Sequence, residues 1–171
     1  MKIIILSTIA ILSFTLTFSQ TNFRWEKIDS VPKTKSKIYS DTKMFIAETW
    51  KSSKNVIQND DKEGGAIFIE GTINKIGGSG LRSATFWYSY NVKFYMKEQK
   101  YRILIENVEF KSSDRAGWTA AVASEWPGGW SCSLMEKPWS ELMTSLKTDM
   151  QNIINDYEKY IKMPSGSNDG W

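Results

Sequence analysis

Residues 84–97 read A-T-F-W-Y-S-Y-N-V-K-F-Y-M-K, and this alternation limits the fold more than any other stretch. Ala84, Phe86, Tyr88, Tyr90, Val92, Phe94 and Met96 fall on one side. Thr85, Trp87, Ser89, Asn91, Lys93, Tyr95 and Lys97 fall on the other. A period of two places successive side chains on opposite faces of a strand, whereas a helix would scatter them around its circumference. One face is wholly apolar or aromatic and the other is largely polar. That pattern belongs to an antiparallel sheet with one face covered and one more open.

The flanking segments supply the partners. Residues 66–76 alternate with Ile67, Ile69 and Ile73 on one face and Phe68, Glu70 and Thr72 on the other, and Gly77-Gly78-Ser79-Gly80 reads as the hairpin loop that follows. A tight turn at Glu98-Gln99-Lys100 leads to residues 101–110. There Val108 and Phe110 fall out of phase with Tyr101, Ile103 and Ile105, so a bulge is expected near Asn107. Residues 23–31 form a first strand that shifts phase at Ile28 and ends at Pro32, which has no N–H for a ladder. Val56-Ile57-Gln58 is a short strand, and 59–65 is a turn rich in Asn, Asp and Gly.

Two helices complete the chain. Ser36 is the expected N-cap of the first, with Ile38, Phe45 and Thr49 on one face, Tyr39, Ile46 and Trp50 beside them, and Asp41 outside. It should stop near Ser53, with Asn55 closing it. The last helix carries Trp139, Leu142, Met143, Leu146, Met150, Ile153, Tyr157, Tyr160 and Ile161 at three- and four-residue steps. A capping box at Ser133 and Glu136 competes with Pro138 as its start. Proline is best placed at the first helical position, so the helix is expected to begin there. The order β-α-β-β-β-β-α predicts an α+β domain, an antiparallel meander with both helices on the face of Phe86, Tyr90 and Phe94.

Residues 1–19 read as a leader. Lys2 precedes an apolar run over 3–18, and Ser19-Gln20 is the expected cleavage point. The run is short for a span and lacks a basic stop-transfer flank, so no stable membrane anchor is expected once the leader is removed. The domain then occupies residues 20–163, with a tail over 164–171. Export places the protein in the periplasm or outside the cell. Formal net charge is +3, too near neutral for nucleic-acid binding as the main task, which needs a basic stripe. There is no histidine and one cysteine, Cys132. The commonest general base and metal ligand is therefore missing, and neither an intramolecular disulfide nor a cysteine zinc site can form. Cys132 reads as a buried thiol, with a link between two chains as the alternative.

The stretch K-S-S-K-N-V-I-Q-N-D-D-K-E-G-G over residues 51–65 joins the first helix to the strands. With S-K-I-Y-S-D-T-K-M-F-I-A-E-T-W before it, and on to Gly71, it resembles a family of exported bacterial proteins known as a domain of unknown function with a TBP-like fold. Tyr39, Lys51, Val56, Ile57, Gln58, Asp61, Lys62 and Gly71 carry the match. The resemblance implies a curved antiparallel sheet with two helices on one face, and it implies no activity, cofactor or catalytic residue. DNA recognition by that fold uses a doubled, basic saddle, whereas this chain is a single, near-neutral unit.

Candidate sites are few. Asp60, Asp61 and Glu63 offer oxygens for calcium, but Lys62 interrupts them and the spacing is not that of an EF-hand, so a solvated turn is expected. Paired carboxylates for glycosidase work need a cleft and two separated acids, and nothing in the sequence points to one. Ser52, Ser53 and Ser30 lie near lysines, yet a reactive serine needs a lysine desolvated by burial. The Gly77–Gly80 run lacks the Lys-Ser/Thr ending of a phosphate loop. No catalytic residue, metal ligand or cofactor is assigned.

The irregular stretch 111–137 carries Trp118, Trp126, Trp130 and the P-G-G turn between the last two. These rings either project to stack on a ligand or partner, or fold over the open face and cover Trp87 and Tyr95. Trp87, Tyr95, Trp118, Trp126 and Trp130 are thus the candidate ligand or partner surface. The first reading is a non-enzymatic exported binding domain for an unidentified ligand or envelope partner. The alternative is a structural envelope component that self-associates through the open face. Intact-mass measurement of exported protein is expected to give a chain beginning at or near Gln20, and retention of residues 3–18 would indicate an anchored form instead.

Overall fold

The alternating stretch is β4, and in a computed structural model it runs over Ala84–Lys97, the bounds of the alternation itself. The structure describes residues 23–50, 56–77, 84–113 and 132–164. β4 lies between β3 (Ala66–Gly77) and β5 (Lys100–Ser113), with β2 (Ile57–Asp61) at one edge and β1 (Trp25–Ser30) at the other. The order is β1-β5-β4-β3-β2, and every pair is antiparallel. β2 is longer than expected, because Asn59, Asp60 and Asp61 pair with β3 before the turn begins.

The bulge falls where the phase change demanded it. Asn107 has a φ of 54°, and the ladder slips between the Ser89–Glu109 and Asn91–Glu106 pairs. Asparagine tolerates this left-handed backbone better than most residues. The slip returns Val108 to the covered side, where it is buried. β1, in contrast, pairs with β5 in unbroken register from Trp25 to Ser30. The expected phase shift at Ile28 does not occur. Ile28 simply stays on the open face, 51% exposed.

The N-cap of helix α1 (Lys35–Thr49) lies two residues before the expected one. Thr34 is the N-cap, its hydroxyl accepting from Lys37 N at 3.3 Å. Glu98 in the β4–β5 turn accepts from Lys35 N at 2.9 Å, so a distant carboxylate satisfies another free amide of the first turn. The helix ends at Thr49, where Trp50 N donates to Ile46 O, and Asn55 lies outside the described residues. Asp41 is buried, contrary to its expected place, because Lys33 and Lys37 reach it at 2.8 and 2.9 Å. Thr49 is exposed rather than on the apolar face.

Helix α2 covers Cys132–Lys162, so it starts before Pro138 and holds that proline inside. A proline's fixed φ is compatible with a helix, and its missing N–H forfeits one backbone bond. Leu142, Met143, Leu146, Met150, Ile154, Tyr157 and Ile161 form its buried stripe, with Ile153 and Tyr160 at the margin.

The two helices and the sheet meet at Tyr157. Its ring stands edge-on to Phe94, Phe45 and Tyr101, with centroids 4.9, 5.2 and 5.4 Å away. Its hydroxyl lies 2.8 Å from Thr42 Oγ1, which in turn bonds to Ile38 O at 2.7 Å. A carbonyl only accepts, so the threonine proton goes to Ile38 and Tyr157 must donate to Thr42. Burial pushes the Tyr157 hydroxyl well above the usual phenol range.

At the other end of α1, the Tyr90 hydroxyl accepts from Trp50 Nε1 at 3.1 Å. The ring reaches that position by crossing Gly71, where a Cβ would fall 2.4 Å from Tyr90 Cζ.

Thr42→Val leaves the Tyr157 hydroxyl buried without its acceptor and should cost about 1–3 kcal/mol. Thr148→Val removes a similar hydroxyl bond on the exposed side of α2 and should change stability by less than about 0.5 kcal/mol. Equal shifts in the urea midpoint for the two variants would refute the buried role of Thr42.

Candidate functional site: the open face of the sheet

Both helices lie on the side of Phe94, which leaves the polar side of β4 uncovered by either. Trp87 and Tyr95 are both on it and half-buried. They sit eight residues apart on one strand, or roughly 27 Å at about 3.4 Å per residue. The two rings therefore belong to opposite ends of the face. Trp87 is in register with Asn74 and Ser112, and Tyr95 with Ala66 and Arg102. Trp118, Trp126 and Trp130 lie outside the described residues.

The middle of this face is held by charge. Glu26 accepts from Arg24 at 3.1 Å and contacts Arg102 Nε at 2.7 Å. Glu106 accepts from Lys93 at 2.6 Å and lies 3.8 Å from Arg24. The Arg24 hydrogen bond and the nearby Arg102 charge hold the Glu26 carboxyl below its ordinary range. Leu104, in register between Lys93 and Glu26, is buried outside the main core. Aromatic contacts extend the pattern. Phe68 and Tyr95 meet edge-on at 5.6 Å, Lys93 lies over Phe68 at 5.7 Å, and Arg102 lies over Tyr95 at 5.3 Å.

Beyond this network, at the hairpin end, the surface falls into a depression of about 420 Å³ lined by Ile28, Tyr95, Lys97, Lys100, Tyr101 and Arg102. Three strands build it. β1 supplies the exposed Ile28, and the β4–β5 hairpin supplies the rest. Lys97 and Lys100 close that hairpin as directly opposed residues, across a turn in which Gln99 has a φ of 55°. Of the residues singled out in the sequence, only Tyr95 lines this depression. Ile28, Lys97, Lys100 and Arg102 were passed over. The available signals were the apolar Ile28 out of step with its strand and two lysines flanking a two-residue turn.

The acidic turn does structural work. The Tyr39 hydroxyl donates to Asp60 Oδ1, and Lys43 donates to Asp60 Oδ2 at 2.7 Å. Asp61 accepts from Gly64 N at 2.7 Å through its side chain and from Gly65 N at 2.9 Å through its carbonyl. Gly65 has a φ of 72° and accepts from Met96 N at 2.8 Å. Among the described residues no three acidic or cysteine side chains gather in a way that would hold a metal ion.

Residues 25–111 match the family described as a domain of unknown function (DUF4468) with TBP-like fold. The chain belongs to that family. Its fold is also that of a TBP-like protein from Parabacteroides distasonis, at a TM-score of 0.63 and 10% identity over 82% of this chain and 92% of that one. A DUF4468 family protein from Bacteroides ovatus aligns at a TM-score of 0.55 and 18% identity, over 82% and 86% of the two chains. No curated protein matches the chain in sequence.

Several residues that carry the family resemblance have architectural roles here. Tyr39 ties α1 to β2 through Asp60, Asp61 shapes the turn into β3, Gly71 admits the Tyr90 ring, and Val56 and Ile57 pack against the core. Gln58 and Lys62 are exposed, and Lys51 lies outside the described residues. The shared pattern thus marks how the fold is assembled, while the depression draws on residues the pattern does not include.

Burial, together with the hydrogen bond to Asp60, raises the Tyr39 hydroxyl from 10.0 to about 12. The neutral phenol is the form the fold favours. Its stabilisation is therefore complete below pH 10 and lost as pH rises toward 12. Burial raises Tyr101 to about 12 as well, so it contributes in the same window. Tyr39→Phe should lose about 1–2 kcal/mol at neutral pH and show a shallower fall in urea midpoint over that alkaline range. An alkaline profile parallel to the parent's would refute the Tyr39 contribution.

Proposed function

We propose that this protein is an exported, non-enzymatic binding domain that takes its ligand on the open face of the sheet. The observation that carries the reading is the depression at the hairpin end, where Ile28 stands half exposed beside Tyr95 and three basic side chains. A concave site with an apolar wall and a few convergent polar groups is the usual form of a small-ligand site. A chain without histidine, and with acidic turn residues engaged in architecture, supports binding rather than catalysis.

Trp87 enters the proposal as a partner surface at the other end of the face, and Trp118, Trp126 and Trp130 are proposed for the same partner from the sequence alone. Support comes from the pairing of β5 with β4, which brings the last residues of β5 beside Trp87. Self-association through the whole face is disfavoured by the Arg24–Glu26–Arg102 and Lys93–Glu106 contacts, whose burial would desolvate five charged groups. The near-neutral charge speaks against nucleic acid as the partner, and the apolar leader supports export without a lasting anchor.

The test is a fragment titration followed by NMR, with neutral, cationic and anionic aromatic compounds in separate pools. Shifts should gather at Ile28, Tyr95 and Arg102, and Ile28→Ser should weaken binding by about tenfold while moving stability by less than about 1 kcal/mol. Shifts confined to the helical side, or none in any pool, would overturn the reading.

A further inference from the structure

Resting on that reading, we infer that the depression is built for a small organic anion, with its charged group between Lys97 and Lys100 and its apolar body against Ile28 and Tyr95. The first ground is an uncompensated pair of like charges. Lys97 and Lys100 are directly opposite in the ladder, an arrangement that costs stability through repulsion. Both are exposed, and among the described residues neither has an ion-pair partner.

The second ground is where the neighbouring carboxylates go. Glu98, between the two lysines in sequence, caps α1 through Lys35 N at 2.9 Å. Glu26 is held by Arg24 and Arg102. Asp29, one residue past Ile28, accepts from Lys162 at 2.7 Å on the helical side. These three acids are committed elsewhere, so none of them neutralises the lysines, and among the described residues no ion pair offsets that charge.

The third ground is the floor. Arg102 is pinned over Tyr95 by its contact with Glu26, which fixes a flat surface beside the lysines. Ile28, at 51% exposure, presents an aliphatic side chain on the same side. A volume of about 420 Å³ suits one ring system or a short chain. Three cations at one end of one hairpin are too few and too local to follow a polyanion. Charge plus apolar wall selects an amphipathic monoanion, a carboxylate or sulfonate on a hydrophobic body.

The probe pair is 1-anilinonaphthalene-8-sulfonate and its uncharged relative N-phenyl-1-naphthylamine, titrated into the full mature chain by fluorescence. The sulfonate should bind one site per chain, and Lys97→Gln/Lys100→Gln should weaken it by about tenfold or more. The neutral probe should bind more weakly than the sulfonate to the parent and equally to both proteins. Sulfonate affinity should also fall as salt rises from 20 to about 200 mM.

Loss of repulsion should leave the double variant's urea midpoint equal to or above the parent's, which separates lost binding from lost folding. Lys100→Gln alone gives the same reading with less change. If the double variant binds sulfonate as well as the parent, or the neutral probe binds the parent as tightly, the anion inference fails while the depression stands as a binding site. If neither probe binds, or Ile28→Ser leaves both unaffected, inference and binding reading fall together.

Discussion

The fold depends on the hydrogen-bonded ring of Tyr157. One side chain from the last helix touches Phe94 of the central strand, Phe45 of the first helix and Tyr101 of the neighbouring strand, and its proton is directed onto Thr42. Apolar contact alone would let the helices slide along the sheet. The chain from Tyr157 through Thr42 to Ile38 O fixes one rotation and one height for each helix, because a buried hydroxyl without an acceptor is costly. Edge-on rings add a preferred angle to that preferred position. The Tyr90–Trp50 bond over Gly71 repeats the device at the far end of α1.

With one face fixed so firmly, the other can carry features that do not help folding. Its centre is an ion-pair network around Leu104, which keeps the exposed surface polar and unattractive to other sheets. Its hairpin end departs from that rule. Lys97 and Lys100, without an ion-pair partner among the described residues, stand there with an exposed isoleucine, and none of the contacts described above gives them an architectural role. The contrast with Asp60, Asp61 and Gly71, each tied to a named structural contact, is what separates candidate site from scaffold.

Much of the scaffold was legible because its signals are local. The alternation of β4 set its bounds and its buried face, and the phase change after Ile105 located the bulge at Asn107. What failed depended on partners distant in sequence. Thr34 rather than Ser36 caps α1 in concert with Glu98 from the opposite hairpin. Asp41 is buried because Lys33 folds back onto it. Pro138 is accommodated in a helix whose packing outweighs one absent amide bond. The site followed the same division. Tyr95 was visible as an aromatic ring on the polar face, but Ile28 meets Lys97 and Arg102 only through the pairing of the first strand with the last, which no local pattern announces.

That pairing also sets the order in which the molecule can complete itself. β2 to β5 form by successive short hairpins, each with little loop entropy to lose. β1 has no such neighbour. Trp25 must find Ile105 across nearly the whole intervening chain, a contact of the long-range kind that slows folding. The depression needs Ile28 from that strand, so it has no partial form in a chain still threading its way to structure. Ligand occupancy would then report completion of the slowest contact in the sheet, and a bound molecule would hold the first strand in place by mass action.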